Sequence, residues 1–134
     1  MKIFNRTSCL HVFVSILNEI SKNYNNCRFS FEKIQSSFDN VFKKTPEFKN
    51  HELFKAFAID DNIGGYFYSD KINDCLNFAE LSNIIYPIGG NKNKFVITHN
   101  SRVFDKTISE LDKNTIECFA KSITKELVKL DRCL

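Results

Sequence analysis

Residues 84–99 read IIYPIGGNKNKFVITH, and this stretch constrains the fold more than any other. Residues 84–88 form a short apolar run and residues 94–98 a second one, with Gly89-Gly90-Asn91-Lys92-Asn93 between them. Two strand-prone runs joined through a Gly-Gly turn read as an antiparallel hairpin. Pro87 has no amide proton to give to a ladder, so its strand belongs at an edge or carries a bulge there. The remaining apolar residues mostly recur with helical spacing, so this hairpin must find its core against helices.

Apolar residues at 10, 13, 14, 17, 20 and 24 make a first helical stripe, closed by Asn23, Asn25 and Asn26. Ser30 stands to cap a second helix whose inner face is Phe31, Ile34, Phe38, Val41 and Phe42. Lys43 and Lys44 suit the negative end of its dipole. Thr45-Pro46-Glu47 predicts a third helix, with a capping Thr and Pro at the first helical position. That helix carries Phe48, Leu53, Phe54 and Phe57 and stops by Ile59, because residues 60–65 (DDNIGG) are turn chemistry. They lack the ligand spacing of a calcium loop. Tyr66-Phe67-Tyr68 has strand character, and Ser69 caps a fourth helix over 69–83 with Ile72, Cys75, Leu76, Ala79 and Leu81 inward. After the hairpin, Asn100-Ser101 turns into a short helix through Ile108 and Leu111. Asp112 then caps a long last helix with the stripe Ile116, Phe119, Ala120, Ile123, Leu127 and Leu130.

The length of 134 residues suits one domain, residues 1–134, with no linker, repeat or low-complexity tract. Fourteen Phe and no Trp predict a phenylalanine-filled core. Five cysteines at 9, 27, 75, 118 and 133 show no CxxC spacing, and Cys75 and Cys118 fall at apolar helical positions. They read as free thiols of a reducing cytosol. The run CLHVFVSIL (9–17) lacks a cleavage site behind it and is too short to span a bilayer, so it is read as a core helix. His11, His51 and His99 have no metal or nucleophile spacing, so no catalytic residue, metal or cofactor is expected.

The order helix, short strand, capped helix, strand, basic turn, strand is that of a winged helix. The expected class is therefore α+β and mostly helical: a winged-helix-like domain with a small β-hairpin and extra N- and C-terminal helices. Residues 69–83 take the place of the recognition helix and 89–94 that of the wing. The stretch GGYFYSDKINDCLNFAELSNIIYPIGGNKNKFVITHN (64–100) also resembles the core of the Panacea or SocA-like antitoxin domains found near phage genes. Gly65, Tyr66, Ser69, Ile72, Leu76, Ile84, Phe95, Ile97 and Thr98 carry that resemblance. It implies a non-enzymatic protein that works through protein contacts, often by neutralising a toxin.

Charge separates two functions for this layout. A recognition helix lies against phosphates, so its outer face should be neutral or basic. Residues 69–83 carry Asp70, Asp74 and Glu80 against Lys71 alone. The leading expectation is an interaction protein of antitoxin, immunity or phage-defence type that holds a basic protein partner. Its predicted patch is Tyr66, Tyr68, Asp70, Asp74 and Tyr86. The alternative is a DNA-binding regulator, with Asn73 and Asn77 reading adenine edges and Lys92, Lys94 and Arg102 on phosphates. In either case the terminal helices offer a route to a homodimer.

Overall fold

The first helix lies at the centre of the molecule, and its sequence explains why. Val12, Phe13, Val14, Ile16, Leu17 and Ile20 are all buried, so the apolar residues cover more than the single stripe expected. A helix apolar on most of its circumference has to be enclosed by others. In the computed structural model, which describes residues 5–24, 28–61, 65–88, 91–98 and 110–132, that enclosure comes from three further helices, a tight 3-10 turn and a hairpin strand. The elements in chain order are α1 (Asn5–Asn23), α2 (Phe31–Lys44), α3 (Pro46–Asn50), a tight 3-10 turn (Lys55–Ala58), α4 (Asp70–Leu81), β1 (Ile85–Ile88), β2 (Asn91–Ile97) and α5 (Glu110–Arg132). The chain is thus mostly helical with a small antiparallel sheet.

Phenylalanines fill the space between α1, α2 and α5. Phe119 of α5 lies against Phe54 at 4.1 Å, Phe48 at 5.0 Å, Phe38 at 5.4 Å and Phe42 at 5.7 Å between ring centres. Phe13 of α1 meets both Phe38 and Phe57 at 5.8 Å. Offset and edge-on rings at such distances add to simple area burial. The seam between α2 and α5 also holds one buried carboxylate, Glu126. It accepts from Lys44 Nζ at 2.7 Å and from Asn40 Nδ2 at 3.3 Å, with Lys129 Nζ at 3.6 Å. Burial would raise the Glu126 carboxyl, but the Lys44 bond and charge, Lys129 and Asn40 together hold it below the ordinary glutamate value.

Several helix ends depart from the sequence reading. Ser30 caps α2 as expected, accepting from Lys33 N at 3.1 Å. Thr45 makes no side-chain cap for α3, and α3 is only one turn and a half long. The reason is His51, whose Nδ1 accepts from Leu53 N at 3.1 Å and gives the backbone another way to turn. Asp112 does not cap α5, which begins at Glu110. Cys118 is exposed, and so is Leu81, at 85%. The expected short helix before α5 lies outside the described residues.

The hairpin register pairs Ile85 with Ile97, Tyr86 with Val96 and Pro87 with Phe95, then shifts so that Ile88 faces Asn91. Pro87 was expected at an edge or at a bulge; among the described residues β1 is bonded to β2 alone and so is an edge, and the register shift falls just after Pro87. Residues 91–93 belong to β2 rather than to the turn. On its other side β2 meets Phe29, which exchanges both backbone bonds with Phe95 (3.1 and 2.7 Å). Tyr66-Phe67-Tyr68 forms no strand. Its backbone is occupied by the preceding acidic turn: Asp61 N donates to Tyr68 O at 2.6 Å, and Tyr68 N donates to Asp60 Oδ1 at 3.1 Å.

Candidate functional site: α4 and the cleft beside it

Four groups fix where α4 starts. Ser69 Oγ accepts from Ile72 N at 3.2 Å, the N-cap read from the sequence. Asp61 Oδ2 accepts from Asp70 N at 2.7 Å, which also sets a carboxylate against the positive end of the helix. The buried Gln35 of α2 grips Ser69 from both sides. Its Oε1 accepts from Ser69 N and its Nε2 donates to Ser69 O, each at 2.9 Å. The far end closes on Asn83 at φ +60°, where Asn83 N donates to Glu80 O and Ile84 N to Ala79 O. Asn tolerates that left-handed conformation, and the pair of bonds turns the chain from α4 into β1.

With both ends fixed, α4 buries Ile72, Cys75, Leu76 and Ala79. Asp70, Asp74, Asn77 and Leu81 are left on the outside, at helical spacing that makes one ridge. A groove of about 920 Å³ runs on one flank, lined by Phe31, Glu32, Asp39, Tyr66, Tyr68 and Asn73 among others. A second of about 750 Å³ continues past Phe31, Glu32, Asn77 and Glu80 to Phe95. On the opposite flank Asp74 and Lys71 border a smaller cavity of about 340 Å³ with Cys9, Leu10, Cys75 and Phe78.

The predicted patch is brought together in part. Tyr66 is 83% exposed at the lip of the first groove, with Tyr68 behind it and Asp70 exposed at the start of the adjoining helix. Burial raises the Tyr68 hydroxyl, and Asp70, Asp74 and Asp61 raise it further, so it lies within their field. Asp74 stands a turn along on the other flank. Tyr86 projects from β1, exposed, and lines none of these grooves. Of the residues expected on DNA, Asn73 is half-buried in the groove, while Asn77 and Lys94 are exposed. The Lys92 side chain, Arg102 and the Gly89-Gly90 turn lie outside the described residues.

Other candidate chemistry is subdued. Burial pushes the Cys75 thiol up to about 12, with Cys9 adding to it, so Cys75 is no nucleophile at neutral pH. The lysines of α2 and the turn after α3 are largely ion-paired: Lys43 with Asp39 at 3.1 Å, Lys44 with Glu126 and Lys55 with Glu52 at 2.8 Å. Among the described residues no three His, Cys, Asp or Glu side chains gather as metal ligands would. No described helix is long and apolar enough to cross a membrane.

Sequence reasoning missed Gln35 and Glu32. Gln35 had a visible signal, since it sits between Phe31, Phe38 and Phe42 at positions i, i+4, i+7 and i+11 of the buried face. A polar residue there needs a buried partner. Glu32 had none beyond its favourable place in a first turn. No family model, curated protein or solved structure matches this chain.

Proposed function

We propose that this chain is a non-enzymatic binding protein of winged-helix type, of the antitoxin or immunity kind, and that the outer ridge of α4 holds a protein partner. The order α1, the Phe29 bridge, α2, α4, β1 and β2, with α3 and the 3-10 turn inserted between α2 and α4, supports the winged-helix reading, with the bridge in the place of its first strand. The observation that carries the function is the ridge itself. Asp70 and Asp74 occupy its N-terminal half and a bare Leu81 its end. Such a face repels phosphates and suits a basic protein surface with an apolar contact. The partner would be neutralised by occlusion, in a reducing compartment that fits the free thiols of Cys9, Cys75 and Cys118. A dimer through α5 gains little support, since its apolar stripe packs against α1 and α2 and Lys121, Lys125 and Lys129 face outward.

Reversal of both ridge charges, Asp70→Lys with Asp74→Lys, tests this. Partner capture should fall by about tenfold or more while the helical circular dichroism is unchanged. Unchanged capture sinks the proposal. Fluorescence anisotropy with random-sequence duplex DNA tests the rival. Binding that falls steeply with salt would move the function to a DNA regulator. No binding at low salt removes the phosphate contribution on which that alternative depends.

A further inference from the structure

The two larger grooves share Phe31 and Glu32 and so make one cleft along the seam of α2 and α4. We infer that this cleft receives an arginine-bearing segment of the protein partner, an inference that rests on the protein-binding reading above.

Three observations select that occupant. The first is aromatic surface. Phe31 borders both halves and is held in place by stacking on Phe95 at 5.0 Å, and Tyr66 stands almost bare at one lip. The second is charge. Glu32 also borders both halves, is exposed, and makes no ion pair among the described residues. Asp39 at one end is already matched by Lys43 at 3.1 Å, and Glu80 and Lys33 both border the other half, so the lining as a whole keeps a net negative charge, with Glu32 the carboxylate common to both halves. The third is a row of acceptors. Asn73 lines one half and Asn77 the other, four residues apart on α4, and neither side-chain amide bonds another described residue.

A guanidinium meets all three at once. It is planar and stacks on aromatic faces, it donates in a fork to a carboxylate, and it has donors left for amide oxygens. A lysine ammonium matches the charge but not the stacking geometry. A phosphate backbone meets Glu32 with the wrong sign. The first groove, at about 920 Å³, has room for the side chain and the residues flanking it.

The test is an amide-resonance titration of the full chain with the blocked tripeptide Gly-Arg-Gly, against Gly-Lys-Gly, at low salt. The arginine peptide should move the resonances of Phe31, Glu32 and Tyr66 and the side-chain amides of Asn73 and Asn77. It should bind about threefold or more tighter than the lysine peptide, and Glu32→Gln should remove about that factor. Shifts spread evenly over exposed carboxylates such as Asp74 and Glu117 overturn the inference, as does equal binding of the two peptides or no binding of either. In the partner assay, Glu32→Gln and Tyr66→Ala should each weaken capture. If they do not, while the Asp70/Asp74 reversal does, the cleft inference falls and the protein-binding reading stands. If none of them does, both fall.

Discussion

Gln35→Ala should be among the most damaging single changes of a polar residue in this chain. The wild-type amide gives Ser69 N its acceptor and Ser69 O a donor. The two halves are unequal. Ser69 O also receives Asn73 N at 3.1 Å, the first helical bond of α4, and keeps it in the variant. Ser69 N has no other partner among the described residues, and Ser69 is fully buried. One orphaned buried amide costs about 1–3 kcal/mol. The lost methylene adds about 0.8 kcal/mol, less a few tenths from the better helix propensity of Ala. The sum is about 1.5–3.5 kcal/mol, or roughly 5–12 °C in Tm for a domain of this size. Urea unfolding followed by circular dichroism measures it, and amide exchange should quicken most at residues 69–72. Gln35→Glu separates the two bonds. A neutral carboxyl can both accept and donate here, whereas burial beside Ser69 O disfavours the ionised form. The folded value is then raised above the unfolded one. Its contribution is therefore present in acid and lost as the pH rises through the folded value. A cost below about 0.5 kcal/mol for Gln35→Ala would refute the reasoning, because it would mean Ser69 N is satisfied without Gln35.

Glu126 has the opposite sign: its folded carboxyl lies below the ordinary value, so its contribution is present above the unfolded value and lost as pH falls through the folded one. Glu126→Gln should therefore flatten the acid side of the stability–pH curve, and urea midpoints that stay parallel to wild type would contradict this. Phe119→Ala removes the ring shared by Phe38, Phe42, Phe48 and Phe54 and should cost about 3–5 kcal/mol by the same urea assay. A cost below about 1.5 kcal/mol would mean the neighbouring rings collapse into the space. Mass-spectrometric mapping with a thiol reagent at neutral pH should find Cys118 labelled and Cys75 protected until urea is added. Labelling of Cys75 in the native protein would show that α1 and α4 part readily.

The helices announced themselves because amphipathic periodicity is a local signal. Ser30, Ser69 and the α2 stripe were legible on that ground, and Pro87 gave away the edge strand through its own covalent structure. What stayed hidden depends on long-range partners. Phe29 carries no strand pattern of its own, and its place on the sheet depends on Phe95, far along the chain. Tyr66-Phe67-Tyr68 has the composition of a strand, but Asp60 and Asp61 reach its backbone first. Propensity cannot register that competition. The ridge of α4 was readable as charge, since Asp70 and Asp74 fall outside the apolar stripe. The cleft was not, because it needs α2 and α4 side by side and only Gln35 hinted that they would be.

Pro87 has one more effect, on what the small sheet can do with other chains. Phe95 sends both of its backbone groups to Phe29, so Pro87 faces it across a pair that exchanges no bonds, and the position of the missing amide points away from β2. The outer border of β1 therefore has a gap in its donor row, while the outer border of β2 is closed at Phe29. A strand-shaped ligand would find no continuous template on either side. The sheet is thereby guarded against edge-to-edge aggregation, and recognition by this protein is left to side chains rather than to backbone pairing.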